Sequence, residues 1–332
     1  MDRFVVGTGR CGSTLLSKML AVSPEMLSIF EFFNGLPGDR RLALDPIPAE
    51  SAWDLLTTPH PFVTMVTSRG FPVEEVAYPF GRAGMRYRAE DDVPWLLVAT
   101  LPRLDRDPDR LFDELRGYVL AGPPQPPAAH FRRIFAWLTE RFGKSSWNER
   151  SGSSIDFVGK LAAAFPAARF LHIHRSGEEC ALSMREHHAF RLAISIVYDL
   201  DPEVDLATAL AHPRPRPGED DPVRRMLERR PAPEPFGRFW SQQITQGYVG
   251  IASIHPSQYR EVRFEELVAE PRRVLREIAE FFAIDPEREG WIDRAAGLVR
   301  NIPPSRLDAL ATEERARLVD ACRPGNALLG RA

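Results

Sequence analysis

The octet Gly7-Thr8-Gly9-Arg10-Cys11-Gly12-Ser13-Thr14 follows a short apolar run, Phe4-Val5-Val6, and precedes a stretch carrying Leu15, Leu16, Met19 and Leu20. A glycine turn between a buried strand and a helix start aims backbone N–H groups at one point, and the helix dipole adds positive potential there. Such a turn predicts a bound anion of phosphate type. Two frames fit the octet. Gly7, Gly9 and Gly12 make the G-x-G-x-x-G of dinucleotide sites, with Glu31 about 20 residues further on in the place of a ribose ligand. The phosphate-loop frame G-x-x-x-x-G-K-[ST] fits too, except that Ser13 stands where its lysine belongs. The missing lysine counts against a triphosphatase or kinase. The cation is instead Arg10, inside the loop, and with the Ser13 and Thr14 hydroxyls it suits an anion of lower charge that needs no metal. A Cys-x5-Arg phosphatase loop is excluded, because Ser17 occupies the arginine position relative to Cys11.

A second candidate anion site lies in Phe165-Pro166-Ala167-Ala168-Arg169-Phe170-Leu171-His172-Ile173-His174-Arg175-Ser176-Gly177 and onward to Ser183. A strand ends in Arg175, and the next helix carries Ser183 eight residues later. With a turn between them, guanidinium and hydroxyl converge on one anion. Two anion sites on two strands suit a donor phosphorylated at two positions, whereas the first loop alone leaves a dinucleotide open.

These segments resemble PAPS-dependent sulfotransferases, which use 3′-phosphoadenosine 5′-phosphosulfate. Gly9 to Leu15 resembles that family's 5′-phosphosulfate loop (P/G)-R-S-G-T-T-L. Phe165 to Ser183 resembles its 3′-phosphate motif F-P-x-A-K-F-I-x-x-x-R-D-G-R-x-x-x-x-S. Arg263-Phe264-Glu265-Glu266-Leu267-Val268-Ala269-Glu270-Pro271 resembles a late R-Y-E-D-L-V-x-x-P. The likeness is greatest to the bacterial and tyrosylprotein-type branch. It departs at Cys11 for serine, Ser13 for threonine, Ser176 for aspartate and Phe264 for tyrosine.

The resemblance implies that Gly9, Arg10, Cys11, Gly12, Ser13 and Thr14 hold the 5′-phosphosulfate, and that Arg175 and Ser183 hold the 3′-phosphate. Glu31 falls on the glutamate that serves as general base in the tyrosylprotein branch, with Arg10 stabilising charge on the bridging oxygen. The implied reaction is a metal-independent, in-line transfer of a sulfuryl group to a hydroxyl or amine of a small-molecule or peptidyl acceptor. The Trp-x-Glu-Arg-Ser-Gly stretch around Glu149 and Arg150 resembles the family's W-x-E-K-T-P region and would bring Arg150 near the donor. The competing readings are an NAD(P)-dependent oxidoreductase, which leaves Arg175 and Ser183 unexplained, and an inactive nucleotide-binding protein. His187 and His188 are the next candidates for a base. His172, His174, Arg169, Arg300 and Trp240 have ordinary structural readings.

The elements that must position these residues follow from hydrophobic period. Strands are expected at 4–6, 26–30, 170–174 and 259–264. Helices are expected after the first loop, from about Glu178 through Met184, along 236–251, over 265–282 with a restart at Pro271, and over 312–322. The strand–loop–helix–strand grammar predicts an α/β fold of three layers, P-loop-like, with a central, mostly parallel sheet flanked by helices. One domain over 1–332 is expected. Two proline-rich spans with weak periodicity read as insertions, 36–130 as helices and loops on the acceptor side and 201–235 as a flap.

Bulk composition sets the outer limits. At 332 residues the chain can bury a large core. Its net charge of −3 gives no reason to expect nucleic acid. Cys11, Cys180 and Cys322 are too few and too scattered for a disulfide framework or zinc site. No apolar run approaches a membrane span or signal peptide, so a cytoplasmic protein is expected.

Overall fold

The computed structural model describes every residue except 39, 217, 301–303 and 332. Strand β1 (Arg3–Val6) is buried along its whole length and sits at the centre of the sheet. Beside it run β2 (Met26–Phe30), β3 (Ser146–Arg150), β4 (Arg169–His174) and β5 (Tyr259–Arg263), in the order β2-β3-β1-β4-β5. Every pairing is parallel, with Val5 opposite Leu171 and Ile29 opposite Glu149. A parallel sheet must be covered on both faces, so its central strand reads as an unbroken apolar run.

Alternation along the strands splits the interior into two cores. Phe4, Val6, Ile29 and Phe170 face a core rich in aromatics, with Phe33, Phe131, Phe135 and Phe165. Val5, Leu171 and Ile173 face the other, with Leu16, Met19, Trp240, Leu275 and Ile278. Phe4 meets Phe165 edge-on at 4.9 Å between ring centres, a favoured aromatic geometry.

Helix α1 (Ser13–Ala21) begins at the first loop. The span expected as helices and loops carries α2 (Ala49–Thr57), α3 (Pro61–Thr67), a π-helical turn at Leu96–Thr100 and α4 (Pro108–Leu120). Next come α5 (Pro127–Arg141), α6 (Val158–Ala164), α7 (Gly177–Glu186) and α8 (His188–Val197). The proline-rich 201–235 span forms two short helices, α9 (Leu206–Ala211) and α10 (Pro222–Glu228). Then follow α11 (Glu234–Ile251), α12 (Phe264–Ala269), α13 (Pro271–Phe282), α14 (Trp291–Ala296) and α15 (Thr312–Leu328).

Three details differ from the sequence expectation. Strand β3 lies between β1 and β2, so the strands of the opening strand–loop–helix–strand unit are not neighbours. Phe264 starts α12 rather than ending β5. The last helix runs on to Leu328, with Pro324 inside it. From β1 the chain crosses toward β2, and from β4 it crosses the other way toward β5. The reversal opens a crevice at the C-terminal ends of β1 and β4, where open α/β sheets bind ligands. Both candidate anion loops start there.

Candidate active site

The first loop leaves β1 and reaches α1 through two left-handed residues, Arg10 (φ 63°) and Gly12 (φ 96°). A side chain at either position is strained, which glycine relieves at residue 12 and Arg10 does not. Side chains also press on the loop. A Cβ on Gly9 would lie 2.1 Å from Phe190 Cζ, and one on Gly12 would lie 2.1 Å from Phe264 Cδ2. The Phe264 ring therefore packs on the loop, and its guanidinium neighbour Arg175 lies 5.0 Å above the same ring. The tyrosine hydroxyl missing from this position is not needed for that packing.

The two candidate anion sites meet in one cleft of about 480 Å³ at the sheet's C-terminal edge. Gly9, Arg10, Gly12, Ser13, Thr14, Arg175 and Ser183 all line it, as does Glu31. Arg10 Nε donates to Ser183 Oγ at 3.1 Å and so ties the first loop to α7. The other two nitrogens of Arg10 grip Glu74 as a fork, at 2.7 and 3.1 Å. Arg175 pairs with Glu179 at 3.2 Å across one turn of α7. Cys11 is fully buried below the loop and, unlike its neighbours, does not line the cleft; burial pushes its thiol pKa up.

Glu31 follows β2 in a left-handed conformation (φ 54°) and is 2% exposed. Its carboxylate is ion-paired with Arg150 at the end of β3. It also accepts from the Asn34 amide and, at 3.0 Å, from the Gly152 N–H. Arg150 donates in turn to Thr14 Oγ1 at 3.0 Å and stacks 4.9 Å above the Phe30 ring. The π-helical turn and the residue before it fix the backbone here: Trp95 Nε1 donates to the Glu31 carbonyl and Thr100 Oγ1 donates to that of Phe30. Among the described residues, six non-glycine residues have positive φ, and three of them (Arg10, Glu31, Ser153) line this cleft. Strain of this kind collects where function over-determines the backbone. A dinucleotide site would need the Glu31 carboxylate turned to a ribose, and it is held by Arg150 instead.

One layer deeper, Glu149 accepts from Ser151 Oγ at 2.6 Å and from the Phe32 N–H at 3.2 Å. Burial pushes its carboxyl up to about 8, assisted by the charge of Glu31.

The opposite wall of the cleft comes from the 36–130 span and from α8. Phe62, Val63, Val73, Trp95, Ala189 and Phe190 make it apolar. His187 Nε2 pairs with Glu75 at 3.0 Å, and its Nδ1 accepts from the Phe190 N–H at 3.5 Å, capping α8. Burial would raise the Glu75 carboxyl, but the hydrogen bond and charge of His187, with Arg10 nearby, hold it down to about 2. His60 caps α3, and burial lowers its pKa to about 4.

Glu74, Glu75 and His60 were absent from the residues singled out in the sequence, because only folding brings that span to the loop. Arg150 was signalled by the Trp-x-Glu-Arg-Ser-Gly stretch. The remaining candidates lie elsewhere. His172 bonds Tyr259 at 2.7 Å and His174 bonds Arg331 at 3.2 Å, both buried beside β5. His188 rests on the Phe71 ring at 4.9 Å, Arg169 binds the Phe281 carbonyl, and Trp240 is core. Arg300 is exposed and does not line the cleft.

Among the described residues no helix is long and apolar enough to cross a membrane. No cluster of histidine, cysteine or carboxylate side chains has metal-holding geometry among those residues. No curated protein matches the chain. Solved structures similar to it include the sulfotransferase domain of the curacin biosynthetic pathway, at 13% identity and TM-score 0.45, covering 96% of each chain. A sulfotransferase from Mycobacterium avium is similar at 17% identity and TM-score 0.47, over 98% of this chain and 75% of that one. A third, from Alicyclobacillus acidocaldarius, has 15% identity and TM-score 0.38, over 100% and 96%. The sequence profile of the sulfotransferase family matches residues 3–213, well over half of the chain. Every lining residue of the cleft except Arg306 falls in the matched segment, and the chain belongs to the sulfotransferase family.

Proposed function

We propose that the protein moves a sulfuryl group from 3′-phosphoadenosine 5′-phosphosulfate to a hydroxyl or amine of a small-molecule or peptidyl acceptor. The observation that carries this reading is the junction of two anion-binding elements in one cleft, Arg10 Nε on Ser183 Oγ at 3.1 Å with Arg175 in the same lining. A donor phosphorylated at the 3′ position and phosphosulfated at the 5′ position matches two such sites.

In this reading the loop N–H groups of Gly9 to Thr14 and the Arg10 guanidinium hold the phosphosulfate. Arg175 and Ser183 hold the 3′-phosphate. Transfer is an in-line displacement: the acceptor oxygen or nitrogen bonds to sulfur as the sulfur–oxygen bond to the bisphosphate breaks. Arg10 stabilises the charge that grows on the leaving oxygen, and positioning supplies much of the rate. No step requires a metal. Glu31 takes the acceptor's proton. Its Oε1 is committed to Arg150, so the acceptor approaches Oε2 in exchange for the Asn34 amide.

The whole chain acts as one domain in this reading, with 36–130 as the acceptor wall and 201–235 as a flap over it. A cleft of this volume suits a ligand of drug-like size, and its wall suits an acceptor with an apolar body. A cytoplasmic location agrees with three free, buried cysteines.

The test is transfer of radiolabelled sulfate from the donor to a panel of phenols, alcohols, amines and tyrosyl peptides. Labelled product from the wild type, lost in Arg10→Ala, supports the reading. No labelled product from any acceptor, together with tight NAD⁺ binding, would sink it.

A further inference from the structure

Arg10 is the cation at the centre of the donor loop, yet all three of its nitrogens are engaged by the chain itself. Glu74 takes both terminal nitrogens at 2.7 and 3.1 Å in the planar fork that a guanidinium also offers to a phosphate or sulfonate. The third nitrogen holds Ser183. One fork binds one anion at a time.

The surroundings of Glu74 separate a fixed backbone from a free side chain. Arg103 donates to the backbone carbonyls of Glu74 at 3.1 Å and Glu75 at 3.3 Å. The Glu75 carboxylate is anchored on His187. The Glu74 side chain, by contrast, is 66% exposed, and its partner Arg10 is 22% exposed. The carboxylate can therefore leave Arg10 by side-chain rotation, with the strap that bears it staying in place. An ion pair this exposed contributes little, so an incoming multivalent anion displaces it easily.

We propose that Glu74 is a specificity-determining residue, an internal competitor that holds the Arg10 fork until a donor with two anionic groups at its 5′ end displaces it. This rests on the donor reading above. A phosphosulfate brings two anionic groups to the loop, and the bisphosphate left after transfer brings one. Returning to Arg10, Glu74 then favours exchange of spent bisphosphate for fresh donor. The apparent Kd is the intrinsic one divided by the fraction of molecules in which the fork is free.

The experiment uses the full chain as wild type, Glu74→Gln, Arg10→Ala and the double variant. Two quantities are read: the rate at which phenylglyoxal modifies Arg10 without ligand, followed by mass spectrometry, and the affinity for adenosine 3′,5′-bisphosphate by calorimetry. In Glu74→Gln, Arg10 is expected to be modified several-fold faster, and the bisphosphate to bind about fivefold tighter, the upper range for an exposed pair. In the Arg10→Ala background the Glu74 substitution should bring no gain, since a double-mutant cycle isolates the pair. An unchanged modification rate overturns the proposal. So does an affinity gain of equal size without Arg10, which marks a diffuse charge effect. Faster modification with no bisphosphate binding by any variant supports the competitor contact and refutes the donor reading instead.

Discussion

Glu31 and Arg150 are both nearly inaccessible, with side chains 3% and 5% exposed, and each is the other's main counter-charge. Glu31→Gln removes the charge and keeps the shape. Turnover is expected to fall about 10²-fold or more with donor affinity maintained, measured as kcat beside the bisphosphate Kd. Near-normal turnover would contradict the role of base. The same substitution leaves the Arg150 charge buried without its partner. A loss of roughly 3–5 kcal/mol of stability is expected, so the assay belongs below the variant's own Tm. Glu149, a residue away, carries a separate signature. Its folded pKa of about 8 exceeds the ordinary carboxylate value of 4.5, because burial favours the protonated form. The stability it contributes is complete below about pH 4.5 and is lost as pH rises through about 8. Glu149→Gln should therefore lose less stability than wild type between pH 5 and 8 in thermal melts. Parallel pH curves for the two would show that Glu149 is already ionised in the fold.

At the scale of elements, the loop after β1 depends on what α8 and α12 press against it. The Phe190 ring stands where a Cβ on Gly9 would go, so Gly9→Ala forces the ring or the loop aside. Bisphosphate affinity is expected to drop at least tenfold in Gly9→Ala and to recover substantially in the Gly9→Ala/Phe190→Ala double variant, by calorimetry. Failure to recover would mean that Gly9 is needed for backbone approach to the ligand rather than for room beside Phe190. These dependencies also explain how much could be read in advance. Strands β1, β2 and β4 declare themselves through apolar runs, and the loop and α7 through Gly12, Arg175 and Ser183 at fixed offsets. Strand β3 does not: Ser146-Trp147-Asn148-Glu149-Arg150 is mostly polar, although every residue is buried. Glu149 and Arg150 are spent on the site, so tertiary demand overrides the usual strand pattern there. The Glu74–Arg10 and Glu75–His187 pairs join residues 64 and 112 positions apart, and no local periodicity announces them.

For the molecule as a whole, the proposed function rests on the chain reversal between β1 and β4, which brings two loops 165 residues apart in sequence to one crevice. Arg10 serves one and Arg175 the other. On the proposed reading, selectivity for a donor phosphorylated at both ends belongs to this architecture rather than to either loop. The most direct measurement is the thermal shift of wild type and Arg175→Ala with adenosine 3′,5′-bisphosphate, adenosine 5′-monophosphate, NAD⁺ and ATP side by side. The bisphosphate should raise the Tm of the wild type most, by several degrees, and in Arg175→Ala its advantage over the monophosphate should vanish. Selective stabilisation by NAD⁺, or an advantage for the bisphosphate that survives without Arg175, would contradict the two-site account.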